Sequence, residues 1–276
     1  MKTIRMKLAA VALVLAAALP ASAGVGGSAD KIRAAVASGS VDAIIAEVER
    51  AEALACEECI QLVTNLTEDG RYPVREVAAW WFAKRPAMKD MLVEQFGREL
   101  VTGGTIKVRN AADFLGATMT YTALPNLVTA VRRDVGPEAK LAIVRAVGVL
   151  GSAKGNDALT AAMADRDAGV RAAAARAWRE IYDQADAAPV VGLLSDADAT
   201  VRAEAATVVG ALKAPAGRAR LEALVVSDAS PTVRRNAAWA LGKIGQSASR
   251  DALVKASADA SGIVRMTAKA SLGLLR

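Results

Sequence analysis

The chain has 276 residues, 53% of them apolar and only 4% aromatic, and its 35 basic and 29 acidic side chains leave a formal charge of +6. Small apolar residues at this density suit closely packed helices and exclude a β-sandwich, whose strands need β-branched and aromatic side chains. Histidine is absent, which removes the commonest general base, the commonest transition-metal ligand and the usual haem ligand together.

The first 23 residues read as a secretory signal. Lys2, Arg5 and Lys7 precede an unbroken apolar run from Leu8 to Leu19, Pro20 ends it, and Ala21-Ser22-Ala23 offers small residues where a signal peptidase cuts. The run is shorter than the ~20 residues of a membrane-spanning helix, and no cysteine follows it to carry a lipid anchor. The expectation is a periplasmic or secreted protein, cleaved after Ala23, with no integral membrane span in the mature chain. Without the three basic residues of the leader, 32 basic side chains stand against 29 acidic ones. A net of +3 is no nucleic-acid footprint.

Residues 24–52 contain two amphipathic stretches, Ser28 to Ser38 and Val41 to Ala51, split by Gly39. They fit a capping pair of helices that shields the first of a series of repeats. Cys56-Glu57-Glu58-Cys59 comes next, the only cysteine pair. A thioredoxin-like motif would need a βαβ context, a c-type haem site would need histidine where Ile60 stands, and two thiolates fill half of a zinc shell. Three readings stay open: a structural disulfide of an oxidising compartment, a redox or regulatory dithiol, and attachment of a metal or cofactor. Residues three apart in a regular helix have Cβ atoms ~5–6 Å apart, whereas a disulfide wants ~3.5–4.5 Å. The bridge therefore fits best at a helix's first turn.

From residue 53 onward the chain repeats. Anchors fall at Val74, Val108, Ala139, Val170, Val201, Val233 and Val264, spaced 34, 31, 31, 31, 32 and 31 residues apart. The residue after each anchor is basic. Five before it stands aspartate, except at Gly103. Three before it stand Thr105, Asp167, Asp198, Ser230 and Ser261, which are good N-caps. Positions 0, +4 and +8 share a helical face, so each anchor opens a helix, B, that buries Val, Ala and usually a bulky residue such as Phe82 or Trp178. A shorter helix, A, precedes the later anchors, over Ala123 to Arg133, Asp157 to Ala164, Ala188 to Ser195, Arg220 to Ser227 and Asp251 to Ala258. A hairpin of this kind covers its apolar face only by stacking on its neighbours. The fold class expected is all-α, an α-solenoid of about seven helical hairpins over residues 53–276.

A cation in the first turn of a helix opposes the macrodipole, so the basic column needs a partner. The aspartates six residues upstream supply one. A structural ladder is expected from Asp69, Arg75, Asp134, Lys140, Asp165, Arg171, Asp196, Arg202, Asp228, Arg234, Asp259 and Arg265.

The pattern Asp-x4-Val-Arg-x2-Ala-Ala-x2-Leu-Gly-x-Ile/Leu-Gly, best seen from Asp228 to Gly245, resembles the short HEAT-like repeats of phycobilisome lyases and bacterial scaffold proteins. Gly103, the Ala139-Lys140 anchor, and Asp113 and Lys269 at a usually small position depart from it. The resemblance implies a binding scaffold. No isolated carboxylate pair and no nucleotide-binding glycine loop accompanies it, so the chain reads as a non-enzyme without cofactor that binds a protein partner. The alternative is a redox or cofactor-handling accessory protein using Cys56 and Cys59.

Position +6 of the B helices lies off the core face and reads Trp80, Phe114, Arg145, Arg176, Thr207, Trp239 and Ala270. Arg179, Arg235 and Lys243 lie on neighbouring columns. A row of aromatics and arginines is what binding hot spots favour, so Trp80, Phe114, Arg145, Arg176, Arg179, Arg235, Trp239 and Lys243 are the candidate binding residues. Tryptophans at such positions also serve to cover the seams between repeats.

Overall fold

The computed structural model describes residues 28–54 and 56–276, so the signal segment expected over 1–23 lies outside the described residues. Among these residues the chain forms 16 α-helices joined by turns and short 3-10 segments, with no strand. It divides into two compact units, one ending at Ala123 and the other running over Leu124–Arg276.

The first unit contains α1 (Ala29–Ser38), α2 (Val41–Arg50), α3 (Glu57–Leu66), α4 (Tyr72–Ala83), α5 (Pro86–Thr102) and α6 (Thr105–Ala117). Ser28 and Ser40 cap α1 and α2, accepting from the N–H groups of Lys31 and Ala43. Between them Gly39 takes a left-handed conformation at φ 72°, which costs a residue without Cβ little and lets the second helix start at once. α2 packs on α4, α4 on α6, and α5 on α6. The core they enclose holds Trp81 and all three phenylalanines of the chain. Trp81 meets Phe82 edge-on at 5.2 Å, Phe82 lies 6.1 Å from Phe114, and Phe114 lies 4.7 Å from Phe96. The Trp81 indole N–H donates to the Ala51 carbonyl at 2.9 Å, which ties the end of α2 to α4.

The second unit is five hairpins. α7 (Leu124–Val131) leads to α8 (Gly136–Leu150), α9 (Asn156–Met163) to α10 (Ala168–Trp178), and α11 (Ala188–Val191) to α12 (Ala199–Ala211). α13 (Arg218–Ser227) leads to α14 (Pro231–Ile244) and α15 (Arg250–Ala256) to α16 (Gly262–Leu272). The long helices stack in order, α8 on α10 on α12 on α14 on α16. Val170, Ala174 and Trp178, then Val201, Ala205 and Val209, then Val233, Ala237 and Leu241, are all buried, as the 0, +4, +8 periodicity requires. Their approach is close because small residues face one another. A Cβ on Gly210 would stand 2.7 Å from the Cα of Ala240. The helix expected over Ala188 to Ser195 changes to a 3-10 turn at Gly192, a residue that disfavours the helix interior.

The corners between short and long helices carry the charges. Each aspartate of the column first shapes its own corner: Asp165, Asp196, Asp228 and Asp259 accept from the N–H two residues on, at 2.7–2.9 Å. The same carboxylates then receive the basic side chain of the preceding repeat, Lys140 at Asp165 and arginine at the other three. Arg171 grips Asp196 with two bonds of 2.7 Å, Arg202 grips Asp228 at 2.7 and 3.1 Å, and Arg234 grips Asp259 at 2.7 and 2.9 Å. The third nitrogen of each arginine donates to the carbonyl of its own corner's aspartate, as Arg202 does to Asp196 at 2.8 Å. Arg265 makes the same bond to the Asp259 carbonyl. The aspartate six residues upstream thus contributes its backbone, and the carboxylate comes from 25 or 26 residues downstream.

Asp69, Asp134 and Arg75 of the expected ladder depart from this wiring. Asp69 gives its carboxylate to Arg71 of its own corner, at 2.8–2.9 Å, and only its carbonyl to Arg75. Asp134 lies at the surface against Arg166. Gly103 has no carboxylate to offer Arg75, and Asp113 of α6 replaces it. Arg75 donates twice to Asp113, at 3.0 and 2.5 Å, with the two side chains 4% and 1% exposed. Two departures from the repeat are therefore one compensated change.

The rungs hold their carboxyls below the usual range. At Asp196 and Asp259 the guanidinium bonds from Arg171 and Arg234 dominate. At Asp228 and Asp165 burial pushes upward, but the bonds from Arg202 or Lys140 and from the corner N–H groups outweigh it. Lys140 is the weak rung. Its single ammonium is spent on Asp165 at 2.5 Å, and a cavity of about 320 Å³ lies among Gly136, Pro137, Lys140 and Asp165 to Asp167. Lys140→Arg should fill this space and add a bond to the corner backbone, as Arg171 does. The expected gain is about 1 kcal/mol, or roughly 2–4 °C in the melting midpoint of a chain this size. A midpoint that is unchanged or lower would remove the analogy.

Candidate functional site

The structure separates the residues of position +6. In the first unit Phe114 is 1% exposed and belongs to the core, not to a binding face. Helix α6 is buried without a break from Val108 to Gly116 because the 17-residue α5 lies against it, a length the repeat pattern does not encode. Trp80 is half-buried, with the Lys84 ammonium 5.4 Å above its ring.

In the second unit Trp239 fills the seam between α12 and α14. Its ring edge lies 2.7 Å from where a Cβ on Gly210 would stand, and Lys243 sits 5.5 Å over the ring. Arg235 binds Asn236, whose amide donates back to the Ala203 carbonyl and the Thr207 hydroxyl. Trp239, Arg235 and Lys243 therefore gather around a closed joint. Arg179 caps the end of α10, exposed beside Glu180.

Arg145 and Arg176 come together. They line one groove of about 470 Å³ between α8 and α10, with Leu141, Val144, Gly148, Val149, Ala173, Ala177 and Glu180. The floor is narrow because Gly148 faces Ala177, whose Cβ would be 3.3 Å from a Cβ at 148. The groove is open because Arg176, which occupies the register of Trp239, turns away from α8 and binds Glu204 of α12 at 2.5 Å. That bond holds the Arg176 guanidinium above its ordinary pKa. Val149 on the rim is 47% exposed. Sequence periodicity pointed to the two arginines but missed Glu180, Glu204 and the small-residue floor; Gly148 inside a long helix was the available signal.

Chemically the groove offers cationic donors beside an apolar floor and a single carboxylate on its rim. It suits a carboxylate flanked by small apolar side chains. Among the described residues no three His, Cys, Asp or Glu side chains converge as a metal would require, and no helix is long and apolar enough to cross a membrane.

Cys56 and Cys59 lie in the first unit. They form a disulfide at the first turn of α3, with Cα atoms 5.2 Å apart. Cys56 is the N-cap, and its sulfur accepts from the Cys59 N–H at 3.1 Å.

Residues 188–273 match the family profile described as HEAT repeats. No curated protein matches the chain. A chain from the structure of Kap95p bound to RanGDP superposes with a TM-score of 0.54 at 13% identity; the alignment covers 85% of this chain and 39% of that one. YibA of E. coli gives 0.53 at 18% identity, covering 84% and 87%. An engineered protein gives 0.50 at 19% identity, covering 99% and 84%. At these identities the likeness shows the fold alone.

Proposed function

We propose that this chain, whose residues 188–273 match HEAT repeats, is a non-catalytic scaffold whose groove between α8 and α10 holds an extended, acidic segment of a protein partner. The observation that carries this reading is the open joint. The seam between α12 and α14 is closed by Trp239, whereas the same register between α8 and α10 holds an arginine drawn aside by Glu204. Repeats of this architecture present such faces to partners, and two arginines beside an apolar floor combine steering with a desolvated anchor. The protein works outside the cytoplasm, in the periplasm or as a secreted protein. The pattern of Lys2 to Ala23 supports that location.

The test uses two variants that close the groove by different means. Arg145→Ala with Arg176→Ala removes the charge, and Ala173→Trp fills the space while keeping both arginines. Each is compared with the parent for capture of partners from the exported fraction and for binding of acidic peptides bearing alanine or valine. Both should remain helical and lose binding by at least about tenfold, since truncating a hot spot costs about 2 kcal/mol. Folded variants that retain the parent's partners and affinities would place the binding surface elsewhere.

A further inference from the structure

The scaffold reading leaves the cysteine pair unused. As a staple it is poorly placed. It links residues three apart in one helical turn that Cys56 already caps, and so short a loop removes little entropy from the unfolded chain. Its two sulfurs also sit in unlike surroundings. Cys59 is 0% exposed on the packed face of α3, which rests on α1 and α4. Cys56 is exposed at the start of the helix. The charged groups beside it are Glu57 and Glu58, and Glu58 is tied to Arg33 of α1.

We infer that Cys56–Cys59 is a thiol–disulfide exchange centre, with Cys56 as the sulfur attacked and Cys59 as the leaving and resolving sulfur. The substrate class is a dithiol, on a partner protein or a small molecule. One of its thiolates attacks the exposed Sγ of Cys56. The S–S bond breaks, its electron pair stays on Cys59, and Cys59 takes up a proton. A mixed disulfide then joins Cys56 to the dithiol. The second thiolate of the dithiol attacks the sulfur of its own molecule and expels Cys56 as a thiolate. The dithiol ends oxidised and the cysteine pair ends reduced, for a transfer of two electrons and two protons. Attack on Cys59 is blocked by burial. Departure of Cys56 is assisted by the Cys59 N–H, which already points at its sulfur at 3.1 Å, and by the unpaired N–H groups of a helix start, which favour a thiolate. Because that bond persists on reduction, α3 keeps its cap in both redox states.

The experiment begins with the oxidised full-length protein and dithiothreitol, quenched with iodoacetamide and read by peptide mass. Both cysteines should be alkylated within minutes in native buffer, and the reduced protein should melt within about 4 °C of the oxidised one. Two variants then assign the roles. Cys59→Ser should accumulate a mixed disulfide at Cys56 with glutathione disulfide. Cys56→Ser, which leaves only the buried sulfur, should react at least about tenfold more slowly. A native disulfide that yields to dithiothreitol only after unfolding would overturn the inference without any variant. Equal rates for the two variants would overturn it too, as would a fall in melting midpoint well beyond about 4 °C on reduction, which marks a structural staple. The groove variants do not touch this site, so each reading can fail alone.

Discussion

Asp113→Ala should destabilise the first unit by about 3–5 kcal/mol, the cost of removing one partner from a buried ion pair. Arg75 would be left with its charge, its bond to the Asp69 carbonyl at 2.7 Å and no carboxylate, in a place where water does not reach. The measurement is denaturant unfolding of the parent and variant, monitored by near-UV signals from Trp80 and Trp81. Replacing both partners by apolar residues of similar size, Arg75→Met with Asp113→Leu, should recover most of the loss, because the desolvation penalty of both charges then disappears as well. If Asp113→Ala alone changes the unfolding free energy by less than about 1 kcal/mol, well under the range for a buried pair, Arg75 has found another partner and the compensation for Gly103 is misread.

The second large effect is expected at Asp196→Ala. This change removes two bonds from Arg171 and one from the Asp198 N–H, and in a stacked repeat the damage should concentrate at the joint between α10 and α12. The rung is partly solvated, so the loss should be about 2–3 kcal/mol, below that at Asp113. The rungs also predict acid sensitivity. Folding holds the carboxyls of Asp165, Asp196, Asp228 and Asp259 below their ordinary value. The unfolded chain therefore binds more protons at low pH, and stability rises with pH across that interval. The contribution is fully present above the unfolded value of about 4 and is lost as the pH falls through the folded one. Melting from about pH 6 down to about pH 2 should show this decline, and Asp196→Ala should make it shallower. Parallel pH profiles for the two proteins would show that the rung does not titrate with folding.

The helical hairpins were legible because burial imposes a period, and Val, Ala and a bulky residue recur at 0, +4 and +8. The presence of a charged ladder was legible for a similar reason, since a cation in a first helical turn needs an answer. Its wiring was not. A column shows that Asp and Arg recur, but it does not show whether an arginine reaches back six residues or forward 25, and the structure has it do both with different atoms. Phe114 was misplaced because position +6 is outward only while neighbouring hairpins are regular, and the long α5 covers it. Register placed Arg145 and Arg176 on one face, and they line one groove. What makes their surroundings a groove depends on Arg176 turning toward Glu204, a choice of rotamer that spacing does not reveal.

The arginine bonding has a polarity that bears on how such a chain can lengthen. Within the regular rungs every hairpin brings one socket, the carboxylate at its corner, and one plug, the guanidinium on its long helix. The plug always enters the socket of the next hairpin along the chain. Copying any such hairpin in tandem would add one of each, and every junction, old and new, would still be matched. Growth by duplication is therefore electrostatically neutral for this architecture, while deletion of part of a hairpin would strand a plug or a socket. Arg75 and Asp113 mark the place where the register lapses at Gly103, and there the missing socket had to be rebuilt from a different helix.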